Sequence, residues 1–412
     1  MSEMFENIIG LPDVCRDLKR DITGSRLPGA ILLSGPRYGG KSSIALEIAR
    51  AVTCIGEAAW GCTCRSCSLH RSLEHPNTLM VGPRYFSQEI TASAAAFSRE
   101  SRQGTRFLVT RSVRKLVRRF DPHIWPETKV KKAIPLAESL EGLLVEFEEC
   151  TDAALNDGGG TDNSRSLDKA ERTLKKILSE SIRLEQLLPY DPVPVDLVRA
   201  LASWSYGSSS GGRQVVIVEE AHTLQDGARN AMLKILEEPP ENTLFILTTS
   251  RRAAVIPTIR SRLRTYELPQ RRSEHEVDVQ RRIFRSETPS PSLRDFFREQ
   301  TDADGESWSV LSRDLVQQLE NGGSVFQVEH RLKGRLAASS PRHGAEYFLD
   351  ALEEEIRKRL GSPQGAGLAP DVLMSWGPVI RRYWARIDSR NMNPSTVLSG
   401  LVLALRRSVE QE

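Results

Sequence analysis

Residues 35–42 read Gly35-Pro36-Arg37-Tyr38-Gly39-Gly40-Lys41-Ser42. The stretch follows the apolar run 30–33, which predicts a buried strand, and precedes the apolar helical pattern of residues 43–52. Its glycines let backbone N–H groups point at an anion, and the start of the helix adds a positive dipole end. Lys41 can reach the outer phosphates and Ser42 can offer a hydroxyl to Mg²⁺. The sequence therefore predicts a phosphate-binding loop, with Gly35, Gly40, Lys41 and Ser42 as binding residues.

The composition is ordinary for a globular protein. The chain has 412 residues, of which 27% are charged and 39% hydrophobic, with a net charge of +3. This length predicts two or three domains. No apolar run approaches the roughly 18 residues of a membrane span, and the first residues lack the features of a secretory signal. We expect a cytoplasmic protein with no membrane partner, in which nucleic-acid contact would need a local basic patch.

Four of the six cysteines are crowded into residues 54–67. Cys54, Cys62, Cys64 and Cys67 are spaced as thiolate ligands of a tetrahedral Zn²⁺ would be, with short loops between them. Two histidines, His70 and His75, lie close enough in sequence to replace one sulfur. Free or redox-active thiols are an alternative interpretation. A catalytic metal is a further one, but no neighbouring residue suggests a general base.

Residues 84–132 are strongly basic, with twelve lysines and arginines against four acidic residues. Arg114, Lys115, Arg118 and Arg119 flank an apolar helical face, so they could contact a phosphate backbone. Alternatively, this helix pairs with the acidic residues between Glu138 and Asp152. Farther on, the glycine-rich link 156–162 precedes a helical repeat over residues 167–188, which predicts one arm of a helical hairpin whose partner is residues 134–150.

A second chemical segment follows the apolar strand 215–218. Glu219 and Glu220 stand at its end, where carboxylates beside a phosphate loop can act on Mg²⁺ and water. The alternative is that they are two exposed acids at the end of a strand. The next strand, 244–247, ends in the hydroxyls of residues 248–250, which can sense the γ-phosphate or cap the strand. Arginines at 260 and 262 follow, and arginine stabilises charge on a transferring phosphoryl group.

Taken together, these motifs resemble the bacterial DNA polymerase III clamp loader, in the AAA+ family of gamma/tau and delta-prime subunits. The resemblance rests on residues 35–42, the cysteine cluster, Glu219-Glu220-Ala221-His222, and two further stretches. These are Asn230-Ala231-Met232-Leu233-Lys234-Ile235-Leu236-Glu237-Glu238-Pro239-Pro240 and Thr258-Ile259-Arg260-Ser261-Arg262. Residues 391–398 look like the last collar helix of the family.

The resemblance implies an α/β P-loop AAA+ fold, a parallel sheet flanked by helices, with a small helical lid domain and an all-α C-terminal collar domain. The implied boundaries are 1–270 for the AAA+ domain, with a zinc module at 54–67 and an inserted helical hairpin at about 84–190. Residues 271–335 would form the lid domain and residues 336–412 the collar domain.

The resemblance also implies function. The subunit would bind ATP and Mg²⁺, with Zn²⁺ in the cysteine module, and would help to load the sliding clamp onto primer-template DNA together with gamma/tau and delta subunits. Glu219 and Ser42 would serve the magnesium and Glu220 would be the catalytic carboxylate. Thr249, or Ser250 one residue on, would be the sensor, and Arg262 the finger that completes a neighbour's site.

Several residues depart from the family pattern. Glu219 stands where aspartate is usual, which places the carboxylate one methylene farther out. Gly61 occupies an expected ligand position, so Cys62 must substitute. Residues 84–190 have no counterpart, and the lid arginine is open among Arg281, Arg282, Arg285 and Arg294.

The short lead before the loop favours a delta-prime-type subunit. A gamma-type ATPase motor of the same loader is an alternative, and so is a non-hydrolysing scaffold that supplies only its finger and collar contacts. Whether this chain is an ATPase is therefore open at the level of sequence.

Overall fold

A computed structural model describes residues 3–83, 86–125, 127–156, 161–188, 193–207, 212–302, 307–337, 341–361, 368–388 and 392–410. It divides into two units, Met1–Phe296 and Phe297–Glu412. The glycine run 157–160, Arg84 and Asn391 lie outside the described residues.

The first unit is built on a five-stranded parallel sheet. Its strands are β1 Ala30–Ser34, β2 Thr78–Val81, β3 Gln214–Val218, β4 Thr243–Thr249 and β5 Arg264–Glu267. Their spatial order is β2-β3-β4-β1-β5, with every neighbouring pair parallel. The carboxyl ends of β1, β3 and β4 therefore meet at one edge, where open α/β sheets bind their ligands. The parallel sheet with flanking helices confirms the predicted fold class.

Helices connect and cover these strands. In chain order they are α1 Pro12–Thr23, α2 Lys41–Thr53, α3 Arg65–Arg71, α4 Ser87–Arg99, α5 Gln103–Val117, α6 Glu127–Val130, α7 Ile134–Asn156, α8 Thr161–Gln186, α9 Val195–Tyr206, α10 Asp226–Glu237, α11 Pro257–Arg260, α12 Ser273–Arg282 and α13 Leu293–Asp302. Short 3-10 turns occupy Arg118–Phe120, Ala221–Thr223 and Arg252–Ala254.

Strands β1 to β4 are buried on both faces, to which successive side chains point alternately, whereas in the edge strand β5 only Tyr266 is buried. Leu32, Val216 and Leu247 belong to one apolar core, which continues into α4, α5 and α7–α10. Ile31 and Ile217 belong to the other, which includes α1 and α2. Continuous apolar strands such as 215–218 are the expected result of burial on two faces.

The predicted hairpin is present, with α7 packed along α8. It is not a free arm, since both helices pack on α4 and α5 and share the core of the sheet. Phe97 of α4 meets Phe147 of α7 edge to face, with ring centroids 4.9 Å apart. The insertion is therefore an integral part of the first unit.

The basic helix α5 pairs with the acidic helix α7, as one of the two interpretations required. Arg106 bonds Asp152, and Arg114 lies 3.4 Å from Glu141. The phosphate-backbone interpretation is wrong for Arg114, Lys115 and Arg119, because their side chains are 7%, 7% and 0% exposed. Arg118, the fourth predicted residue, is 29% exposed, and its guanidinium contacts Asp121 and the His75 carbonyl. A duplex cannot reach cations that are buried in the protein.

The second unit is helical and has its own apolar core. Its helices are α14 Trp308–Glu320, α15 Phe326–Ala337, α16 Pro341–Leu360, α17 Pro370–Asp388 and α18 Pro394–Glu410. Trp308, Trp376 and Tyr347 are its largest fully buried side chains. Across the described chain, no helix is long and apolar enough to cross a membrane.

Candidate nucleotide site and cysteine module

The loop 35–40 joins β1 to α2 at the carboxyl edge of the sheet. Gly35 N–H donates to the carbonyl of Thr249, which joins the loop to β4 at 3.1 Å. Gly40 has a φ of +88°, and a Cβ there would lie 2.4 Å from Nη2 of Arg271, so glycine is required. Lys41 Nζ donates to the carbonyls of Gly35 and Pro36 at 3.0 and 2.8 Å. The loop is thus folded with its lysine inside the anion cradle.

The carboxylate of Glu219 reaches the loop from the end of β3. Ser42 Oγ donates to its Oε1, across 177 positions of sequence. Arg119 Nη2 donates to its Oε2. Glu219 N–H donates to the Val81 carbonyl at 2.8 Å, and a Cβ on Gly82 would lie 2.2 Å from the Glu219 carbonyl oxygen. Glu219 is therefore closely held by its backbone and by both carboxylate oxygens.

Glu220 occupies the inner edge of the same site. It lies 3.7 Å from Lys41 Nζ and accepts from the backbone N–H and the hydroxyl of Ser250 at 2.9 and 2.7 Å. Burial raises the pKa of Glu220, but Lys41, the Ser250 bonds and His222 outweigh it and lower the pKa below its usual value. Burial is also the main reason that the pKa of Lys41 is lowered. The carboxylate is thus ionised beside the loop lysine.

The two candidate sensor residues have different partners. Thr249 is fully buried, and its hydroxyl meets His222 Nδ1 at 3.0 Å and accepts from Arg251 N–H at 3.1 Å. Ser250 contacts the Glu220 carboxylate instead. Both side chains lie at the carboxyl end of β4. Of the two, only Ser250 contacts Glu220, the predicted catalytic acid.

Arg262 lies apart from these residues, on the surface after α11. Its Nη2 bonds Glu237 Oε1 at 2.6 Å and its Nη1 donates to the Thr258 carbonyl at 2.8 Å. Its side chain is 34% exposed. The structure does not bring Arg262 to this chain's own phosphate loop, and the role of a finger for a neighbour stays a prediction.

Two arginines that the sequence did not single out for this site contact it. Arg271 donates to the carbonyls of Ile9 and Tyr38 at 3.0 and 2.8 Å, so it braces the phosphate loop. It is not among the four lid candidates, of which Arg285 pairs with Glu100 at 3.2 Å. Arg119 reaches Glu219 from the basic segment, and nothing in its local pattern distinguishes it from its neighbours.

The four cysteines come together in one cluster. Their Sγ atoms all lie within 4.8 Å of one another. Cys54 Sγ is 3.7 Å from Cys62 Sγ and 3.8 Å from Cys64 Sγ, close to the edge of about 3.8 Å that a ZnS₄ tetrahedron has. Backbone N–H groups of Gly56 and Ala58 donate to Cys54 Sγ at 3.2 Å. These residues fit a zinc ion.

The pKa values of Cys62 and Cys64 are lowered, whereas burial raises those of Cys54 and Cys67. Burial raises the pKa of Cys64, but N–H donors from Cys67 and Ile55 outweigh it and lower the pKa to about 6. Arg50 Nη1 donates to Cys67 Sγ at 3.0 Å while its other nitrogens bind Glu47. Bonds to sulfur of this kind hold thiolate ligands in place.

The two histidines are not part of the cluster. Their rings stack, with centroids 4.1 Å apart, and His70 Nε2 bonds Thr53 Oγ1 at 2.6 Å while His75 Nε2 bonds Ser66 Oγ at 3.1 Å. Burial lowers the pKa of His70 to about 2, so the ring is neutral. They join the cysteine loop to α2 and β2, and the prediction that one could replace a sulfur is wrong in this arrangement.

Magnesium fits less well than zinc. On this chain a magnesium ion would depend on Ser42 and Glu219. Both carboxylate oxygens of Glu219 already accept hydrogen bonds, from Ser42 and Arg119. The loop itself fits a phosphate, because its glycine backbone, the helix start and Lys41 converge there.

Known proteins are similar to parts of the chain. A 71-residue segment is 45% identical to DNA polymerase III subunit delta' of Yersinia pestis, covering 17% of this chain and 21% of that protein. A 53-residue segment is 51% identical to subunit gamma/tau of Mycobacterium tuberculosis and covers 13% of this chain and 9% of that protein. A 155-residue segment is 34% identical to subunit tau of Bacillus subtilis and covers 35% of this chain and 27% of that protein. The chain thus matches less than a third of the length of each of these relatives.

A family model extends over more of the molecule. The model described as "DNA polymerase III, delta subunit" matches residues 10–121 and 173–272, which is just over half of the chain and contains the phosphate loop, the cysteine module, Glu219 and Arg262. The unmatched stretch, residues 122–172, contains α6, α7 and the first half of α8. The expectation that all of residues 84–190 lack a counterpart in the family is therefore wrong, since the model matches residues 84–121 and 173–190. On this match the chain belongs to the DNA polymerase III delta subunit family.

Proposed function

We propose that this protein is a delta-prime-type subunit of the DNA polymerase III clamp loader, which helps to load the sliding clamp onto primer-template DNA during replication. Its partners would be gamma/tau and delta subunits, the clamp and DNA, and its location cytoplasmic. The observation that carries the proposal is the family match over a sheet whose carboxyl edge holds the phosphate loop. The similar segments in delta' and gamma/tau proteins support it.

The nucleotide would be ATP, held by residues 35–42. The convergence of Lys41 with the carbonyls of Gly35 and Pro36 supports this, because a lysine held there is already placed for an anion. Glu220 would be the catalytic carboxylate, with Thr249 or Ser250 as the sensor. We assign magnesium no step, because both carboxylate oxygens of Glu219 are engaged.

Zinc would be a structural ion in the cysteine module. The tetrahedral spacing of Cys54, Cys62, Cys64 and Cys67 supports this role. A closed set of four sulfur ligands leaves no open position for a substrate. The ion would therefore fold the hairpin and take no part in chemistry.

The division into domains is also a proposal. Residues 1–270 would be the AAA+ domain, 271–335 the lid and 336–412 the collar that joins the subunits. The chain divides into its two compact units between Phe296 and Phe297, so the proposed lid would contain residues of both units.

A non-hydrolysing scaffold is the second candidate function, and Arg262 favours it. This arginine is partly exposed and is oriented by Glu237, as a finger offered to a neighbouring subunit would be. A gamma-type ATPase motor would instead rely on turnover at this chain's own loop. ATPase activity of the assembled complex, measured with Arg262→Ala and with Lys41→Ala in turn, separates the two: the scaffold loses activity only with Arg262→Ala.

Two measurements test the main proposal. Native co-purification should recover gamma/tau and delta subunits with this chain, and recovery of the chain without either contradicts a place in the loader. Equilibrium binding of labelled ATP should weaken about tenfold or more in Lys41→Ala, equivalent to about 1.4 kcal/mol. The exposed Lys129→Ala serves as the control. Equal, negligible binding by wild type and Lys41→Ala would show that the loop does not hold ATP.

A further inference from the structure

The positive charge at Glu219 comes from the protein itself. Arg119 Nη2 donates to Oε2 of this carboxylate, while Ser42 of the phosphate loop donates to Oε1. The two side chains of the ion pair are 0% and 3% exposed. A guanidinium therefore occupies the carboxylate to which the sequence assigned a magnesium ion.

Arg119 is held in this position by its surroundings. Its Cζ lies 5.3 Å from the centre of the Phe86 ring, and Trp125 Nε1 donates to its backbone carbonyl at 3.0 Å. Since the side chain is fully buried between these groups, it has no solvent-exposed position to which it could swing. Its charge is a permanent part of the site.

The same guanidinium has donors to spare. In the described part of the chain, Nε and Nη1 of Arg119 are buried without a hydrogen-bond partner. Nη1 is bonded to the same carbon as Nη2, so the unpaired donor belongs to the guanidinium that contacts Glu219. Buried N–H groups without an acceptor are costly and rare, and an anion that enters the loop would provide oxygen acceptors.

The charges of the site are balanced without a metal. Lys41 stands 3.7 Å from Glu220, and Arg119 is paired with Glu219. A divalent cation would have to displace Arg119 from Glu219 or accept a like charge beside it, and like charges at such distances repel strongly in a buried site. The Arg119–Glu219 pair therefore opposes binding of a divalent cation at this carboxylate.

We propose that Arg119 is a resident cation that replaces the divalent metal at Glu219, so that this loop binds a nucleoside triphosphate without a metal ion. The inference rests on the proposed function, because it concerns the same phosphate loop. The inference adds that the ligand is a polyphosphate without a metal ion, and that Arg119 is the residue that makes binding independent of the metal.

The test compares ATP affinities of the full chain in excess Mg²⁺ and in excess EDTA by calorimetry. For the wild type we expect the two dissociation constants to agree within about twofold. In Arg119→Met the guanidinium is gone, and Mg²⁺ should tighten binding by about tenfold or more. Arg119→Lys keeps a cation and should keep metal-independent binding.

Arg118→Met is the matched control. Arg118 is the neighbouring arginine, but its contacts are with the His75 carbonyl and Asp121 and not with Glu219. This variant should bind ATP as the wild type does, with and without Mg²⁺. A change equal to that of Arg119→Met would show that the effect is not specific to the cation at Glu219, and would overturn the inference.

The remaining outcomes separate the two proposals. If the wild type binds ATP but loses about tenfold or more affinity in EDTA, the loop function stands and the resident cation is wrong. If Arg119→Met folds and stays independent of Mg²⁺, the resident cation is again wrong. If neither protein binds ATP in either condition, ATP binding at this loop is wrong, and the inference fails with it. Should Arg119→Met not fold, wild type and Arg119→Lys decide the question.

Discussion

The cysteine module and the phosphate site differ in how far apart in sequence their residues lie. The module takes its four sulfurs from residues 54–67, and the structure leaves its predicted composition unchanged. The phosphate site joins Ser42 to a carboxylate 177 positions away and adds an arginine from a third segment. A site built from residues close in sequence can be predicted from their spacing. A site assembled from distant segments also contains residues that sequence spacing does not predict.

The largest expected effect tests the local site. Cys64→Ser with Cys67→Ser removes two of four ligands and should abolish bound zinc, with a loss on the order of 10 kcal/mol in metal-binding free energy. Metal analysis and thermal unfolding measure the two consequences. Cys15→Ser, outside the cluster, should leave both unchanged. Substoichiometric zinc in wild-type protein prepared without chelator would contradict the proposal that the four cysteines bind zinc.

The next effect tests the assembled site through its ion pair. Arg119→Met leaves the Glu219 charge buried and should lower the free energy of unfolding by about 3–5 kcal/mol. Combined with Glu219→Gln, the double variant should lose less than the sum of the two single losses, by about 2 kcal/mol. Denaturant unfolding of the four proteins gives the coupling.

The exposed pair Lys129–Asp196 is the control for this cycle, since its side chains are 46% and 56% exposed. Its coupling should be within about 0.5 kcal/mol of zero. Equal coupling energies for the two pairs would mean that burial adds nothing at Glu219.

A smaller effect concerns the backbone beneath Glu219. Gly82 has a φ of +113°, and an added Cβ would lie 2.2 Å from the Glu219 carbonyl oxygen. Gly82→Ala should therefore cost about 2–3 kcal/mol of unfolding free energy. Gly142→Ala, in helix α7 with no atom within 4 Å of the new Cβ, should stabilise by about 0.5–1 kcal/mol. Changes of the same sign in both variants would contradict the close approach at Gly82.

The last effect is a pH dependence next to the cysteine module, which is small only within the first pH unit below 6.5. The pKa of His70 falls from its usual value of 6.5 to about 2 on burial, so below the usual value the unfolded chain binds a proton that the folded chain does not. Stability is therefore fully present above pH 6.5 and falls by about 1.4 kcal/mol per pH unit below it.

His70→Gln should reduce that slope in denaturant unfolding, whereas the exposed His330→Gln should retain it in full. Part of the slope should remain, because burial also lowers the pKa of His75. A slope unchanged by His70→Gln would mean that His70 does not carry the proton linkage. In that case the buried histidines would not connect the module's stability to pH.

Much of the fold was predictable because apolar periodicity survives in the final packing. The runs 30–33, 215–218 and 244–247 became β1, β3 and β4, and residues 134–150 found their partner in α8. The basic helix α5 was ambiguous for a physical reason. A cation on a helix has the same sequence pattern whether it faces phosphate, water or a buried carboxylate, and only the position of α7 decides among them.

The sequence by itself determined the glycine-rich loop and the cluster of four cysteines, because each depends on residue types at short separations. The α/β P-loop AAA+ fold class came from the resemblance of motifs spread along the chain. Tertiary structure alone decided which charge meets Glu219, which hydroxyl meets Glu220, and that Arg271 braces the loop. These contacts join segments brought together by the parallel sheet and the packed insertion. The loop at residues 35–42 can therefore be recognised in the sequence, whereas the cation beside it is visible only in the folded chain.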